Sequence, residues 1–167
     1  MWSNEFHPGR ATEGLKATLA DLQLEYLDLY LLHYPRAFIV VEGVNEPRDK
    51  DGHHIMDDNV DTGATWKELE PFVANGTIKA LGVSNFNTTR LKALFAANPT
   101  VIPAVNQIES HPYCQMNDFV KWHTSENGGF SRLSGGKTCV VQAYSPLGSA
   151  GNSSMLQSVK SQEPGLP

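Results

Sequence analysis

The sequence predicts an α/β fold in which helices alternate with the strands of a parallel sheet. Two observations support this prediction: stretches with one apolar helical face alternate with short apolar strands, and each strand ends on polar side chains. Parallel strands need a crossover connection, which is usually a helix, and this alternation supplies one between successive strands. With 167 residues, the chain is long enough for one ordinary globular domain.

Composition and charge argue against several other classes of protein. The chain is 40% hydrophobic and has a formal net charge of −5, so nucleic acid and anionic membranes are not expected partners. No apolar run approaches the roughly 18 residues that cross a bilayer, and the first residues lack a secretory pattern. Cys114 and Cys139 match no metal or redox spacing and are typical of free thiols in a reducing compartment. We therefore expect a cytoplasmic protein.

The first half of the chain begins with a predicted helix over residues 11–24. Its apolar face consists of Leu15, Leu19 and Leu22. A strand rich in leucine and tyrosine follows over residues 26–33 and ends on an ionisable side chain, His33. A long polar connection, rich in Asp, Asn and Gly, then runs over residues 36–62.

The next unit is a predicted helix over residues 65–76 followed by a strand over residues 78–83. Gly76 is a suitable C-terminal cap for this helix. Pro71 lies inside the helix, and we expect it to kink or shorten the helix because proline lacks an N–H.

Two further strands are predicted over residues 104–108 and 139–144. A helix precedes the first of them, with its apolar positions at Leu91, Leu94 and Phe95. Another helix, over residues 117–123, lies between the two strands. The glycine- and serine-rich stretch at residues 128–137 has the composition of a surface insertion. Four strands and four helices are too few for a closed eight-stranded barrel.

Polar residues at the end of each strand are the candidate functional residues. In strand order they are His33, Ser84 and Asn85, Asn106 and Gln107, and Tyr144 and Ser145. In parallel α/β barrels the C-terminal strand ends face one shared mouth, and active sites lie there. Serine and asparagine before a helix are also ordinary N-caps, so any one of these residues alone has a structural explanation. Their recurrence on all four strands favours a functional site.

Four stretches of the chain, in order, resemble the signature motifs of the aldo-keto reductases: "DLYLLHYP", "IKALGVSNFN", "AVNQIESHPY" and "QAYSPLGS". Those enzymes are (β/α)8 barrels that reduce carbonyls with NADPH. The resemblance covers roughly residues 2–150, with matching order and spacing apart from the stretch at 128–137. It implies a partial TIM barrel of about four β/α units, matching the fourth to seventh strands. We accordingly assign residues 1–150 to a partial barrel domain and residues 151–167 to an irregular C-terminal tail.

The resemblance implies a role for each candidate residue. His33 would be catalytic, because its counterpart in the family orients and polarises the substrate carbonyl. The residues that would contact NADPH are Ser84, Asn85, Gln107, Tyr144, Ser145, Leu147 and Ser149. The first three would hydrogen-bond the nicotinamide carboxamide, Tyr144 would stack on the nicotinamide ring, and the last three belong to the loop over the pyrophosphate. The implied substrate is a small-molecule carbonyl, and no metal is implied.

Two interpretations of the function stay open at this stage. The chain is an aldo-keto reductase-type oxidoreductase that reduces aldehydes or ketones with NADPH, or a catalytically inactive remnant that acts as a binding or interaction module. The second interpretation rests on the absence of three residues that the resemblance requires for catalysis. In the family, a proton-donating tyrosine and the lysine and aspartate that assist it lie on the first three strands. We expect the chain to begin after those strands and to stop before the eighth, which carries the 2′-phosphate contacts.

Two further expectations concern partners and metals. A partial barrel has two sheet edges without partner strands, so we expect self-association through these edges. A metal-dependent hydrolase that uses His53, His54 and His111 is the weaker alternative, because no carboxylate falls at a recognised ligand spacing.

Overall fold

A computed structural model describes residues 1–148, which contain a four-stranded parallel sheet, a small two-stranded sheet and five α-helices. A short 3-10 helix over Ser3–Glu5 comes first. The elements that follow are, in chain order, α1 (Arg10–Leu22), β1 (Tyr30–Leu32), β2 (Ala37–Phe38), β3 (Met56–Asp57), α2 (Thr62–Ala74), β4 (Leu81–Ser84), α3 (Thr88–Ala96), β5 (Val105–Glu109), α4 (Asn117–Thr124), α5 (Gly129–Ser134) and β6 (Val140–Tyr144).

The large sheet has the strand order β1-β4-β5-β6, and every neighbouring pair is parallel. This confirms the prediction of four adjacent parallel strands in chain order. The first strand is shorter than predicted, because Leu27 forms only an isolated bridge with Ile78 before continuous pairing begins at Tyr30.

One face of this sheet and the helices together form the hydrophobic core. Pairing of Tyr30 with Leu81 and of Leu32 with Val83 places these four side chains on the same face. All four are buried, and the helical residues of the same core cluster include Leu15, Trp66, Leu69, Leu91 and Leu94. Alternation along the strands then directs Leu31 and its neighbours to the opposite face.

Helix α2 continues past its proline, so one of the two predicted effects, shortening, does not occur. Pro71 does not shorten the helix, which continues to Ala74 before Gly76 adopts a left-handed conformation with φ of 85°. Proline has no N–H, so the carbonyl of Lys67 has no helical hydrogen-bond donor. Lys67 and Pro71 are both exposed to solvent. Water can therefore hydrogen-bond that carbonyl.

The polar connection at 36–62 contains the small antiparallel sheet. Ala37 pairs with Asp57 and Phe38 pairs with Met56. Phe38 is 2% exposed, so this connection contributes an anchored aromatic side chain next to the end of β1.

Residues 128–137, predicted to be a surface insertion, are exposed at 135–137 but partly buried before that. This stretch contains helix α5, and Phe130 is fully buried, with its ring centroid 5.4 Å from that of Phe95. Gly129 is necessary there, because a Cβ atom on it would collide with the indole of Trp122. Gly128 and Gly129 therefore reflect close packing, whereas Gly135 and Gly136 have open space around them and adopt φ values of 71° and 97°.

Some predictions fall outside the described part of the chain. The boundary at residue 150, the tail at 151–167 and the candidate residue Ser149 lie beyond residue 148. Within residues 1–148, none of the helices combines the length and apolar character that a membrane crossing requires.

Candidate active site

The structure brings the predicted polar residues together at the C-terminal edge of the large sheet, apart from Asn106, which is fully buried on the helix-facing side. His33 directly follows β1, Ser84 ends β4, and Tyr144 ends β6. Gln107 lies in β5, where it pairs with Ser84 on one side and with Gln142 of β6 on the other. Because all four strands are parallel, these residues share one edge of the sheet.

The side chain of Asn85 connects three of the four strands. Its Nδ2 donates hydrogen bonds to the backbone carbonyl of His33 and to Oγ of Ser84, each at 3.0 Å. Its Oδ1 accepts a hydrogen bond from the hydroxyl of Tyr144 at 2.9 Å. Asn85 has a φ of 62°, in the left-handed region that asparagine tolerates better than most residues. This backbone conformation is part of the turn that directs the amide between β1 and β6.

The residues of β4 and β5 are connected through Gln107. Its backbone carbonyl accepts hydrogen bonds from Oγ of Ser84 and from the backbone N–H of Asn85, both at 2.9 Å. The side-chain amide of Gln107 donates to Oε1 of Gln142 at 2.9 Å. Ser84 is buried, whereas Asn85 and Gln107 are partly exposed, so these two amides are accessible to a ligand.

His33 lies at the exposed end of β1, next to the ring of Trp2. Its ring centroid is 4.5 Å from that of Trp2, edge to face. Partial burial, together with the N-terminal amino group, lowers the pKa of His33 from 6.5, so the imidazole is neutral at pH 7. A neutral imidazole can donate one hydrogen bond without bringing a positive charge into the site.

A cavity of about 200 Å³ lies beside Trp2, whose ring contacts His33, and Tyr34, which follows His33, and the sequence did not predict this cavity. Its lining residues are Trp2, Tyr34, Phe38, His54 and Met56. Three of them, Phe38, His54 and Met56, come from the polar connection, and His54 stacks on Phe38 with 4.7 Å between ring centroids. The available signal was the presence of apolar and aromatic residues at both ends of an otherwise polar stretch.

Tyr144 and Asn85 both line a second cavity of about 350 Å³. This cavity is lined by residues that include Glu109 and Cys114. Burial raises the pKa of Tyr144, and the negative charge of Glu109 raises it further. The hydroxyl therefore keeps its proton and remains a hydrogen-bond donor to Asn85.

The loop after β6 begins at the same edge of the sheet. Ser145 has a φ of 49°, and its carbonyl accepts a hydrogen bond from the N–H of Gly148 at 2.8 Å. Leu147 is 91% exposed, so its side chain is available for contact with a ligand.

The histidines of the metal alternative do not form one cluster. His53 lies 3.7 Å from Asp49 and His54 lies 3.3 Å from Glu46, both in the polar connection, whereas His111 lies 3.4 Å from Glu109. Across the described residues 1–148, no three His, Cys, Asp or Glu side chains are placed to hold a metal ion.

Comparison with known proteins identifies the family of the chain. The family profile described as Aldo/keto reductase family matches residues 1–155. The Aldo-keto reductase family 1 member A1 of Cricetulus griseus is 43% identical over 151 residues, which are 90% of this chain and 42% of that protein. The human protein of the same name is 42% identical over the same shares.

Two solved structures have the same fold over most of the described chain. The aldose reductase of Schistosoma japonicum superposes with a TM-score of 0.73 and 31% identity, covering 96% of this chain and 50% of the other. The aldose reductase of Giardia lamblia gives a TM-score of 0.70 and 34% identity, covering 89% of this chain and 45% of the other. The chain thus spans half or less of the length of these relatives. It belongs to the aldo/keto reductase family, and its parallel sheet is part of a (β/α)8 barrel.

Proposed function

We propose that the C-terminal sheet edge is the cofactor side of a carbonyl-reducing active site, and that the protein acts in the NADPH-dependent reduction of small aldehydes or ketones to alcohols. The observation that supports this most directly is the hydrogen-bond network around Asn85, which joins β1, β4 and β6 at one edge. Active sites of parallel barrels lie at this edge, and membership of the family supports an oxidoreductase.

The residues at the edge fit a nicotinamide carboxamide. That group presents one carbonyl acceptor and two N–H donors. Gln107 offers its second side-chain N–H and its Oε1, Oδ1 of Asn85 offers a second lone pair, and the buried hydroxyl of Ser84 would have to exchange its hydrogen bond with the Gln107 carbonyl. The ring of Tyr144 would support the nicotinamide, and Ser145, Leu147 and Ser149 would lie over the pyrophosphate. When bound, NADPH supplies a hydride to the carbonyl carbon.

His33 is the residue that we assign to the substrate. Its imidazole N–H would donate to the carbonyl oxygen and hold it as negative charge develops there, which is how positioned donors stabilise a transition state. The cavity of about 200 Å³ beside Trp2 would receive the apolar part of a small carbonyl compound. A general acid must also protonate the alkoxide, and such a group contributes about 10²- to 10⁴-fold.

Titration with NADPH, followed by calorimetry, tests the cofactor assignment. We expect weak binding with little preference over NADH, because the assigned contact residues include no Lys or Arg to hold the 2′-phosphate. Gln107→Leu should weaken NADPH binding by about 2- to 10-fold, the loss of one or two hydrogen bonds. The matched control is Gln115→Leu on the exposed surface. Equal binding by both variants would contradict the assignment.

We also propose that the protein self-associates and is cytoplasmic. In the described part of the chain, the outer edges of β1 and β6 pair with no further strand, and such edges favour pairing with another chain. The two cysteines, Cys114 and Cys139, are unpaired, which is usual for a reducing compartment. Sedimentation velocity over a range of concentrations tests the first point, and a concentration-independent monomer would contradict it.

A further inference from the structure

Behind the candidate site, on the helix-facing side of the sheet, lies a fully buried polar pair. Asn106 of β5 and His123 of α4 are each 0% exposed. Nδ2 of Asn106 lies 3.0 Å from Nε2 of His123 and 2.8 Å from the backbone carbonyl of Phe86. Oδ1 of the same amide is buried and has no hydrogen-bond partner. Neither residue belongs to the assigned cofactor or substrate contacts.

The neighbours of the two side chains determine their protonation and orientation. Nδ1 of His123 lies 2.9 Å from the carbonyl of Phe119, which can only accept, so this nitrogen carries the hydrogen of the neutral ring. Nε2 is then an acceptor, and it receives one amide hydrogen of Asn106. The second amide hydrogen donates to the carbonyl of Phe86. Both hydrogens of the Asn106 amide are thus used, and its oxygen is left over.

This arrangement fixes the turn that carries Asn85. Phe86 follows Asn85 directly and is 1% exposed. Its carbonyl is the point at which Asn106 of the neighbouring strand holds the turn between β4 and α3. A change in the orientation of the Asn106 amide would therefore change the position of Asn85, whose side chain connects three strands of the candidate site.

Protonation of His123 is incompatible with this hydrogen-bond pattern. A proton on Nε2 would point at the amide nitrogen of Asn106, donor against donor at 3.0 Å. Rotation of the amide by 180° relieves the conflict, because it turns the unpartnered Oδ1 toward the imidazolium. The same rotation removes the N–H from the carbonyl of Phe86. A charged His123 and a hydrogen bond from Asn106 to the carbonyl of Phe86 therefore cannot be present together.

We propose that Asn106 and His123 are positioning residues for the candidate cofactor site, and that they form an acid-sensitive latch which holds the Asn85 turn only while His123 is neutral. The consequence for the cofactor rests on the proposed function. The consequence for the turn does not.

The groups packed against His123 support a neutral ring at pH 7. The rings of Phe119 and Trp122 from α4 and of Phe130 from α5 lie within 6 Å between centroids. Asn106 faces it from β5, and the N–H of Cys139, ahead of β6, donates to its backbone carbonyl at 3.3 Å. Cys139 is the titratable group among them, and burial raises the pKa of its thiol to about 12, so it carries no charge. Burial accordingly lowers the pKa of His123 from 6.5.

Amide and imidazole resonances of the intact chain, followed by NMR from pH 8 to pH 5, test the latch. The reporters are the His123 ring, the side-chain NH2 of Asn106, and the backbone N–H of Asn87, which shares a peptide group with the carbonyl of Phe86. We expect all three to change with one midpoint below pH 6.5. In His123→Phe, an aromatic side chain among aromatic neighbours, the changes at Asn106 and Asn87 should vanish. In His53→Gln, a control at an exposed position, they should persist.

Three outcomes would overturn the proposal: His123 titrates without a change at Asn106 and Asn87, the changes persist in His123→Phe, or His123 does not titrate above pH 5. The titration of the wild-type protein tests the proposal even if His123→Phe does not fold. A parallel titration with acid-stable NADP⁺ should show affinity falling at least about five-fold across the same midpoint, the lower range of site-to-site coupling. If NADP⁺ binds at no pH, the proposed function fails, while the NMR result still decides the latch.

Discussion

Among single residues, Asn85 has the largest influence on the candidate site, because its amide hydrogen-bonds the carbonyl of His33, Oγ of Ser84 and the hydroxyl of Tyr144. The sequence predicts that these residues share one sheet edge, since each follows or ends a predicted strand. It does not predict that Asn85 joins them to each other. That contact requires the left-handed backbone at Asn85, a conformation that the neighbouring strand stabilises through the N–H of Asn85 and the carbonyl of Gln107.

Tyr144→Phe tests the contribution of this network to stability. The substitution removes the donor to Oδ1 of Asn85 and leaves that oxygen without its partner. We expect the free energy of unfolding to fall by about 0.5 to 1.5 kcal/mol, measured by urea denaturation. Tyr113→Phe is the control, because Tyr113 is 55% exposed, and it should have no measurable effect. Equal stability of both variants would show that the network adds nothing to folding.

The buried His123 predicts how stability depends on pH. Its folded-state pKa is lowered from 6.5, so the unfolded chain binds the proton more readily and the stabilisation is present above pH 6.5. The free energy of unfolding should therefore fall as the pH decreases from 7.5 to 5.5. The lowered pKa of His33 acts in the same direction. His123→Phe should show a smaller decrease in urea denaturation at the two pH values, and an unchanged decrease would contradict the prediction.

Among the elements, those that the sequence predicts well are the ones that local periodicity describes. The four strands of the large sheet and helices α1 to α4 follow from apolar patterns that recur with the spacing of a strand or a helix. Strands β2 and β3 have two residues each, too few for a periodic signal. They form because Phe38 is buried against the rings of Trp2 and His54. Helix α5 has six residues between glycines, and tertiary packing rather than propensity stabilises it.

Phe130→Ala tests the structural role of α5. Phe130 is fully buried and lies between Phe95 and His123, so its truncation removes contacts and leaves a cavity. We expect a loss of about 3 to 5 kcal/mol in the free energy of unfolding. Arg132→Ala, an exposed position on the same helix, should change it by less than about 0.5 kcal/mol. A loss for Phe130→Ala as small as that of the control would restore the interpretation of residues 128–137 as a surface insertion.

At the level of the whole molecule, the sheet is one continuous part of a barrel, with a covered outer face and an open inner face. Leu31, Gly82, Val105 and Val140 occupy corresponding positions on the inner face, and Val140 is 61% exposed. A side chain at Gly82 would collide with Leu31, so this face is shaped for close packing. The sequence predicts the parallel order of the strands, because helices connect them. It does not predict what lies against the inner face, since this depends on contacts between distant segments.

A completed barrel would show whether these residues supply the cofactor and carbonyl contacts of a working reductase. Residues 1–148 would be joined to the remaining strands of the human relative, and NADPH oxidation would be followed with 4-nitrobenzaldehyde. We predict NADPH-dependent reduction, at least about ten-fold lower kcat for His33→Ala, and an unchanged rate for the exposed His53→Ala. A folded chimera that binds NADPH and keeps its full rate after His33→Ala would contradict the account.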